Sequence, residues 1–182
     1  MMNRRNVLTM LGGLAASSLL TAHSPYRQWK LYRQANLLVF TMRDDPRSDE
    51  LGELLAAALR ARLPDSRAQV ARAPNAQRIA SLISSDQADV GLLRIDDARA
   101  LYRGEGAFAD YGKVPLRVLV EVESYHLVCR ENFRHEHAYA VAEALSGEPR
   151  PAELHVPLFG PEGGVPTHEG ALAFARREPI AD

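Results

Sequence analysis

Short apolar runs alternate with segments that carry a single apolar stripe at helical spacing, and this alternation restricts the chain to an α/β domain with a mostly parallel sheet flanked by helices. Leu37-Leu38-Val39-Phe40 reads as a buried strand. Thr41 to Arg47 reads as a polar loop, and Ser48 as the cap of a helix with Asp49 and Glu50 in its first turn. Leu51, Leu54, Leu55, Ala58 and Leu59 recur at i, i+3, i+4, i+7 and i+8, which predicts one apolar stripe against a sheet. Pro64-Asp65 ends that helix. The order then repeats. Ala68–Ala71 is a strand, and Pro74-Asn75 turns into a helix with Ile79, Leu82 and Ile83 on one side. Ala88–Leu93 is a third strand, and Ile95–Tyr102 a short helix broken by Gly104-Glu105-Gly106. Two closely spaced strands follow, Leu116–Val122 and Tyr125–Cys129. His135–Leu145 is a helix with Tyr139, Ala142 and Leu145 as its apolar face. The Pro- and Gly-rich stretch from Glu148 to Gly164 reads as loop. Thr167 caps a last helix running to Arg177, with Leu172 and Phe174 inward.

The N-terminus sets the expected compartment. A basic start, Met1 to Arg5, precedes an apolar run from Val7 to Leu20, the layout of an export signal. The run is shorter than the ~20 apolar residues of a membrane span. Ala22 supplies a small residue before a cleavage point, and an uncleaved signal would serve as an anchor. Arg4-Arg5-Asn6-Val7-Leu8 resembles a twin-arginine core, with Asn3 and Thr9 departing from that pattern; a secretory signal with two arginines fits as well. Residues 1–22 are therefore read as an export signal, 23–35 as a linker, 36–178 as one α/β lobe and 179–182 as a tail. A periplasmic or other extracytoplasmic location follows.

With 22 basic and 23 acidic residues the net charge is −1. No basic stripe is visible, which argues against a nucleic-acid partner. The single cysteine, Cys129, excludes an intrachain disulfide and reads as a small buried hydrophobe.

The central residues carry a resemblance. Gln87-Ala88-Asp89-Val90-Gly91-Leu92-Leu93-Arg94-Ile95-Asp96, then Tyr102-Arg103-Gly104-Glu105-Gly106-Ala107-Phe108, Leu116-Arg117-Val118-Leu119, Tyr125-His126-Leu127-Val128-Cys129-Arg130 and the closing Val165-Pro166-Thr167-His168-Glu169-Gly170-Ala171 are similar, in order and spacing, to the TAXI family. These are the solute-binding receptors of tripartite ATP-independent periplasmic (TRAP) transporters. The resemblance implies one lobe of a periplasmic-binding-protein fold and a role in solute binding rather than catalysis. No cofactor is implied. A small carboxylate or an amino acid is the implied ligand, and TRAP membrane subunits or a second copy are the implied partners. Family receptors have two lobes that close on a ligand by a hinge. Here the segment that would build the second lobe is missing. The family's glycine-rich loop after the first strand is replaced by Thr41-Met42-Arg43-Asp44-Asp45-Pro46-Arg47-Ser48, so the backbone approach that glycines permit is lost. Asp44 and Asp45 would repel a carboxylate; Arg43 and Arg47 would attract one.

Ligands of open α/β sheets bind where strand ends lead into helices. The expected ligand-binding residues are accordingly Thr41, Met42, Ser48, Asn75, Arg94 and Asp96, with Ser124 and Tyr125 at the former hinge. Arg94 could hold a carboxylate in a bidentate pair, or form a surface ion pair with Asp96 or Asp97. Ser48 and Asn75 are equally explained as helix caps. His135-Glu136-His137 invites a metal reading, but i, i+2 side chains diverge on a helix. Glu123, Ser124 and His126 lack a nucleophile elbow, and adjacent strand residues face opposite ways. An alternative reading is a non-transport accessory or interaction domain that keeps the lobe as a scaffold.

Overall fold

A computed structural model describes residues 36–147, 153–159 and 164–179. The export segment 1–22, the linker 23–35 and residues 180–182 of the tail lie outside the described residues. The described residues form five strands, five α-helices and two 3-10 turns. The strands are β1 (Leu38–Met42), β2 (Gln69–Ala73), β3 (Val90–Arg94), β4 (Leu116–Val122) and β5 (Tyr125–Arg130). The helices are α1 (Pro46–Arg62), α2 (Ala76–Ser84), α3 (Ile95–Arg103), α4 (His135–Ser146) and α5 (Glu169–Arg176).

The sheet order is β2-β1-β3-β5-β4. β1 pairs parallel with β2 and β3, while β5 is antiparallel to both β3 and β4. β5 is thus the one strand running against the other four, as its short link from β4 requires. α1 packs on β1, β2 and α4, and α4 carries α5; α2 and α3 lie with β3 and the 3-10 segment Gly106–Tyr111. Gly91 faces α2, since a Cβ there would sit 2.6 Å from Ile79 Cγ2. Gly52 brings α1 onto β1, where a Cβ would sit 2.2 Å from Thr41 Cγ2. The central strands therefore bury both faces, and β3 reads as a continuous apolar run for that reason.

The stripe on α1 is narrower than its periodicity predicts. Leu51, Leu55, Ala56 and Leu59 are buried, but Leu54 is 51% exposed. Ser48 does not cap α1. The helix starts three residues earlier, with Asp45 at the N-cap and Pro46 as its first residue. Pro at that position costs no hydrogen bond and is pre-set for helix. Ser48 is instead buried in the first turn, where its Oγ accepts from the Met42 amide at 3.2 Å. Asn75 does cap α2, its Oδ1 accepting from Arg78 N at 3.0 Å. Gly104 ends α3 at φ 68°, and its backbone crosses Gly112 so closely that a Cβ would meet the Gly112 carbonyl carbon at 2.5 Å.

The C-terminal region differs from expectation. His168, not Thr167, caps α5, with its Nδ1 accepting from Gly170 N at 3.1 Å. Gly170, Ala171 and Ala173 face inward, and Leu172 and Phe174 are only partly buried. Small residues win that face because α5 lies directly on α4: a Cβ at Gly170 would be 2.1 Å from the His135 carbonyl. The stretch read as loop pairs with the outer edge of β4. Glu121 and His155 exchange backbone bonds of 2.8 and 2.9 Å, and Val118 bridges Thr167. This covers an edge that would otherwise present unpaired groups.

Candidate functional site

From β1 the chain passes through α1 to β2 on one side, then through α2 back across β1 to β3 on the other. The strand order therefore reverses between β1 and β3, and the carboxyl ends of these strands form the switch point at which open α/β sheets take ligands. β1 delivers Asp45 to this crevice from the link to α1. β3 delivers Arg94, and Tyr125 opposes Arg94 in the β3–β5 register.

The three side chains meet at one atom. Arg94 donates to Asp45 Oδ2 from Nε at 2.9 Å and lies within 2.8 Å of it through Nη2. The Tyr125 hydroxyl donates to the same oxygen at 2.7 Å. The guanidinium also lies over the Tyr125 ring, 5.3 Å from its centroid. Tyr125 is 1% exposed, the Asp45 side chain 11% and that of Arg94 54%. Partial burial by itself would raise the Asp45 carboxyl; the hydrogen bonds from Tyr125 and Arg94 outweigh it and hold the group below its ordinary value. Burial, reinforced by the Asp45 hydrogen bond, pushes the Tyr125 phenol up to about 12. Arg94, bonded to Asp45, is held more firmly protonated.

A ring of further ion pairs surrounds this centre. Arg47, in the first turn of α1, binds Glu50 at 2.8 Å and Glu123 through Nε at 3.0 Å, with a second close bond to Glu123. Glu123 holds the β4–β5 turn at φ 53°, so this pair ties the turn to α1. Arg72 at the end of β2 binds Asp49 at 2.7 Å and Glu53 at 3.3 Å. Asp49 also accepts from Thr41 Oγ1 at 3.2 Å.

Of the residues expected to bind ligand, Arg94 and Tyr125 are brought together. Thr41, Met42 and Ser48 lie beneath them, with 0%, 3% and 0% exposure, so their side chains are core groups and not contact groups. Strand β1 continues through Met42, which is why the loop expected from Thr41 onward begins later. Asn75 follows β2, two strands from β3, or about 10 Å at ordinary strand spacing, and its side chain is spent on the cap. Asp96 is 93% exposed and pairs with Arg99. The ion pair expected for Arg94 exists, but its partner is Asp45 and neither Asp96 nor Asp97. Ser124 is exposed at the turn, and its carbonyl accepts from Ile95 N at 3.1 Å.

Sequence reasoning missed Asp45, which it took for a repelling charge. The dipeptide Asp45-Pro46 was the available signal, because Asp before Pro marks a helix start and fixes where that carboxylate emerges. It also missed the partner of His126. On the opposite face of the sheet, His126 Nε2 lies 2.8 Å from Glu121 Oε2 across the β4–β5 pair. Both line a cavity of about 210 Å³ with Arg99 and Phe159. Burial lowers the His126 pKa, against the pull of Glu121. Cys129 is buried, and its thiol is pushed well up by that burial. Among the described residues no group of three or more His, Cys, Asp or Glu is arranged to hold a metal ion, and no helix is long and apolar enough to cross a membrane. No family model matches the chain, and no curated protein does.

Proposed function

We propose that this domain is a receptor-type solute-binding lobe, related to the extracytoplasmic receptors of TRAP transporters, that acts outside the cytoplasmic membrane as a binder and not as an enzyme. One observation carries the reading: Arg94 and Tyr125 converge on a carboxylate oxygen at the switch point of the sheet. A planar guanidinium beside a phenol donor is the chemistry that recognises a carboxylate, and the switch point is where such a fold takes its ligand. The ligand is a small organic anion or an amino acid, held through its carboxylate. One lobe supplies half of a closing cleft, so the binding is weak, and the membrane subunits of a transporter are the natural recipients of the solute. The test is a thermal-shift and calorimetric titration of the mature chain with dicarboxylates and amino acids. At least one should stabilise the protein, and Arg94→Gln should remove the effect. A panel that shifts nothing at concentrations well above millimolar would sink the solute reading.

A second reading draws on the surrounding ion pairs. Arg47 and Arg72 are satisfied by carboxylates of this same chain, as expected of a lobe kept as a scaffold for an accessory or protein-interaction role. Self-association, measured by light scattering on a chain that binds no solute, would favour it.

A further inference from the structure

We propose that Asp45 is a built-in stand-in for the ligand's carboxylate, so that the chain closes its own site and a solute binds by displacing that side chain. The inference rests on the carboxylate-binding reading above and concerns how that site is regulated. Asp45 occupies the N-cap position of α1, where an aspartate ordinarily turns its carboxylate onto the first-turn amides. Here the Ser48 amide pulls on the carboxylate without closing a cap hydrogen bond. The side chain points across the crevice instead, and a single oxygen accepts hydrogen bonds from Arg94 Nε at 2.9 Å and the Tyr125 hydroxyl at 2.7 Å, with Arg94 Nη2 an ion-pair contact at 2.8 Å. Two hydrogen bonds and a guanidinium charge on one oxygen form the arrangement a binding site offers to a ligand anion.

The tether makes displacement feasible. Only Arg43, Asp44 and Asp45 separate β1 from α1. The backbone on either side is fixed, by Arg43 N to Ala73 O at 2.8 Å and by Asp49 N to Asp45 O at 3.3 Å. Rotation about the Asp45 side-chain bonds would therefore vacate the site without moving the helix. Arg94 is half-exposed, so an incoming anion can reach the guanidinium from solvent. Two carboxylates cannot share these groups without repelling each other, so occupation by ligand and by Asp45 exclude one another. The apparent affinity is then the intrinsic affinity reduced by the fraction of open site, about 100-fold if the latch is closed ~99% of the time.

The experiment is rescue of a cavity in the mature full-length chain. Asp45→Ala removes the stand-in and leaves room for a small anion. Acetate and formate should raise its thermal midpoint saturably over sodium chloride of equal ionic strength. The wild type should respond at least about tenfold more weakly, and Asp45→Ala combined with Arg94→Gln should not respond. If the alanine variant does not fold, Asp45→Asn keeps the shape without the charge, and the solute active on wild type should bind it about tenfold more tightly. No acetate response in a folded Asp45→Ala chain, while the wild type still binds a solute, overturns the stand-in and leaves the receptor reading intact. A response that survives Arg94→Gln overturns it as well. Absence of binding by wild type and variants alike removes both readings.

Discussion

Tyr125 and Asp45 share one hydrogen bond, and it moves their titrations in opposite directions. The phenol donates that bond only while protonated, and its neighbour is an anion. Burial, reinforced by that bond and that charge, raises its pKa to about 12 in the folded chain, against ~10 when unfolded. A group that holds its proton more tightly when folded stabilises the protein fully below the unfolded value and loses that contribution as pH climbs to the folded one. Wild-type stability should fall between about pH 10 and 12 by ~2–3 kcal/mol more than that of Tyr125→Phe, read by urea denaturation at stepped pH. Asp45 has the reverse sign. Its folded pKa is depressed, so its contribution is present above the ordinary carboxylate range and is lost as pH falls through that range. These two residues also mark where sequence reading stopped. Arg94 and Tyr125 could be placed at strand ends from the pattern alone. Their partner could not, because Asp45 lies 49 residues from Arg94 and 80 from Tyr125, and only the strand order brings it between them.

At the scale of elements, most of the fold was written in local periodicity. β3 and α2 carry patterns with one solution each, and both formed where the pattern places them. Errors arose where a neighbour decided the outcome. Thr41 looks like the start of a loop, but it is buried because Gly52 lets α1 press onto β1. Leu172 and Phe174 look like the inner face of α5, but the shortest approach to α4 is at Gly170, and Phe174 meets α4 edge-on at Tyr139, with ring centroids 5.6 Å apart. Residues 153–159 and 164–168 hold the β4 edge through isolated bridges, which leave no alternating signature in a sequence. The α4–α5 contact gives a direct prediction. At Gly170 a Cβ would fall 2.1 Å from a backbone oxygen and 3.0 Å from Ala138 Cβ. A backbone oxygen within a helix cannot step aside, so α5 must lift. Gly170→Ala should cost ~2–3 kcal/mol, the upper part of the range for overpacking. Amide exchange of Gly170–Ala173 should speed up more than that of β1 or β3. Equal acceleration across the chain would point to global destabilisation instead.

For the molecule as a whole, three buried histidines among the described residues couple its stability to pH. His126, His137 and His168 are 3%, 6% and 5% exposed. Burial lowers all three pKa values, to about 4 for His137, where Arg134 pulls the same way. His168 Nε2 lies 2.8 Å from the Phe133 carbonyl, and His126 Nε2 pairs with Glu121. His137 sits edge-on to Phe133, with ring centroids 5.9 Å apart. In the unfolded chain each would titrate near its ordinary ~6.5. The unfolded state thus binds more protons than the folded state between that value and the depressed one, and stability must fall as pH drops through the interval. For His137 the interval runs from about 6.5 down to 4. A compartment that acidifies would weaken this lobe before its surface carboxylates protonate. His137→Phe, which keeps an aromatic ring against Phe133 and has no proton to gain, should flatten the pH dependence of the melting temperature between pH 6.5 and 4 while leaving the slope from pH 10 to 12 untouched. Melting curves that remain parallel to wild type across the acid interval would show that His137 has the same pKa folded and unfolded, and would transfer the effect to His126 and His168.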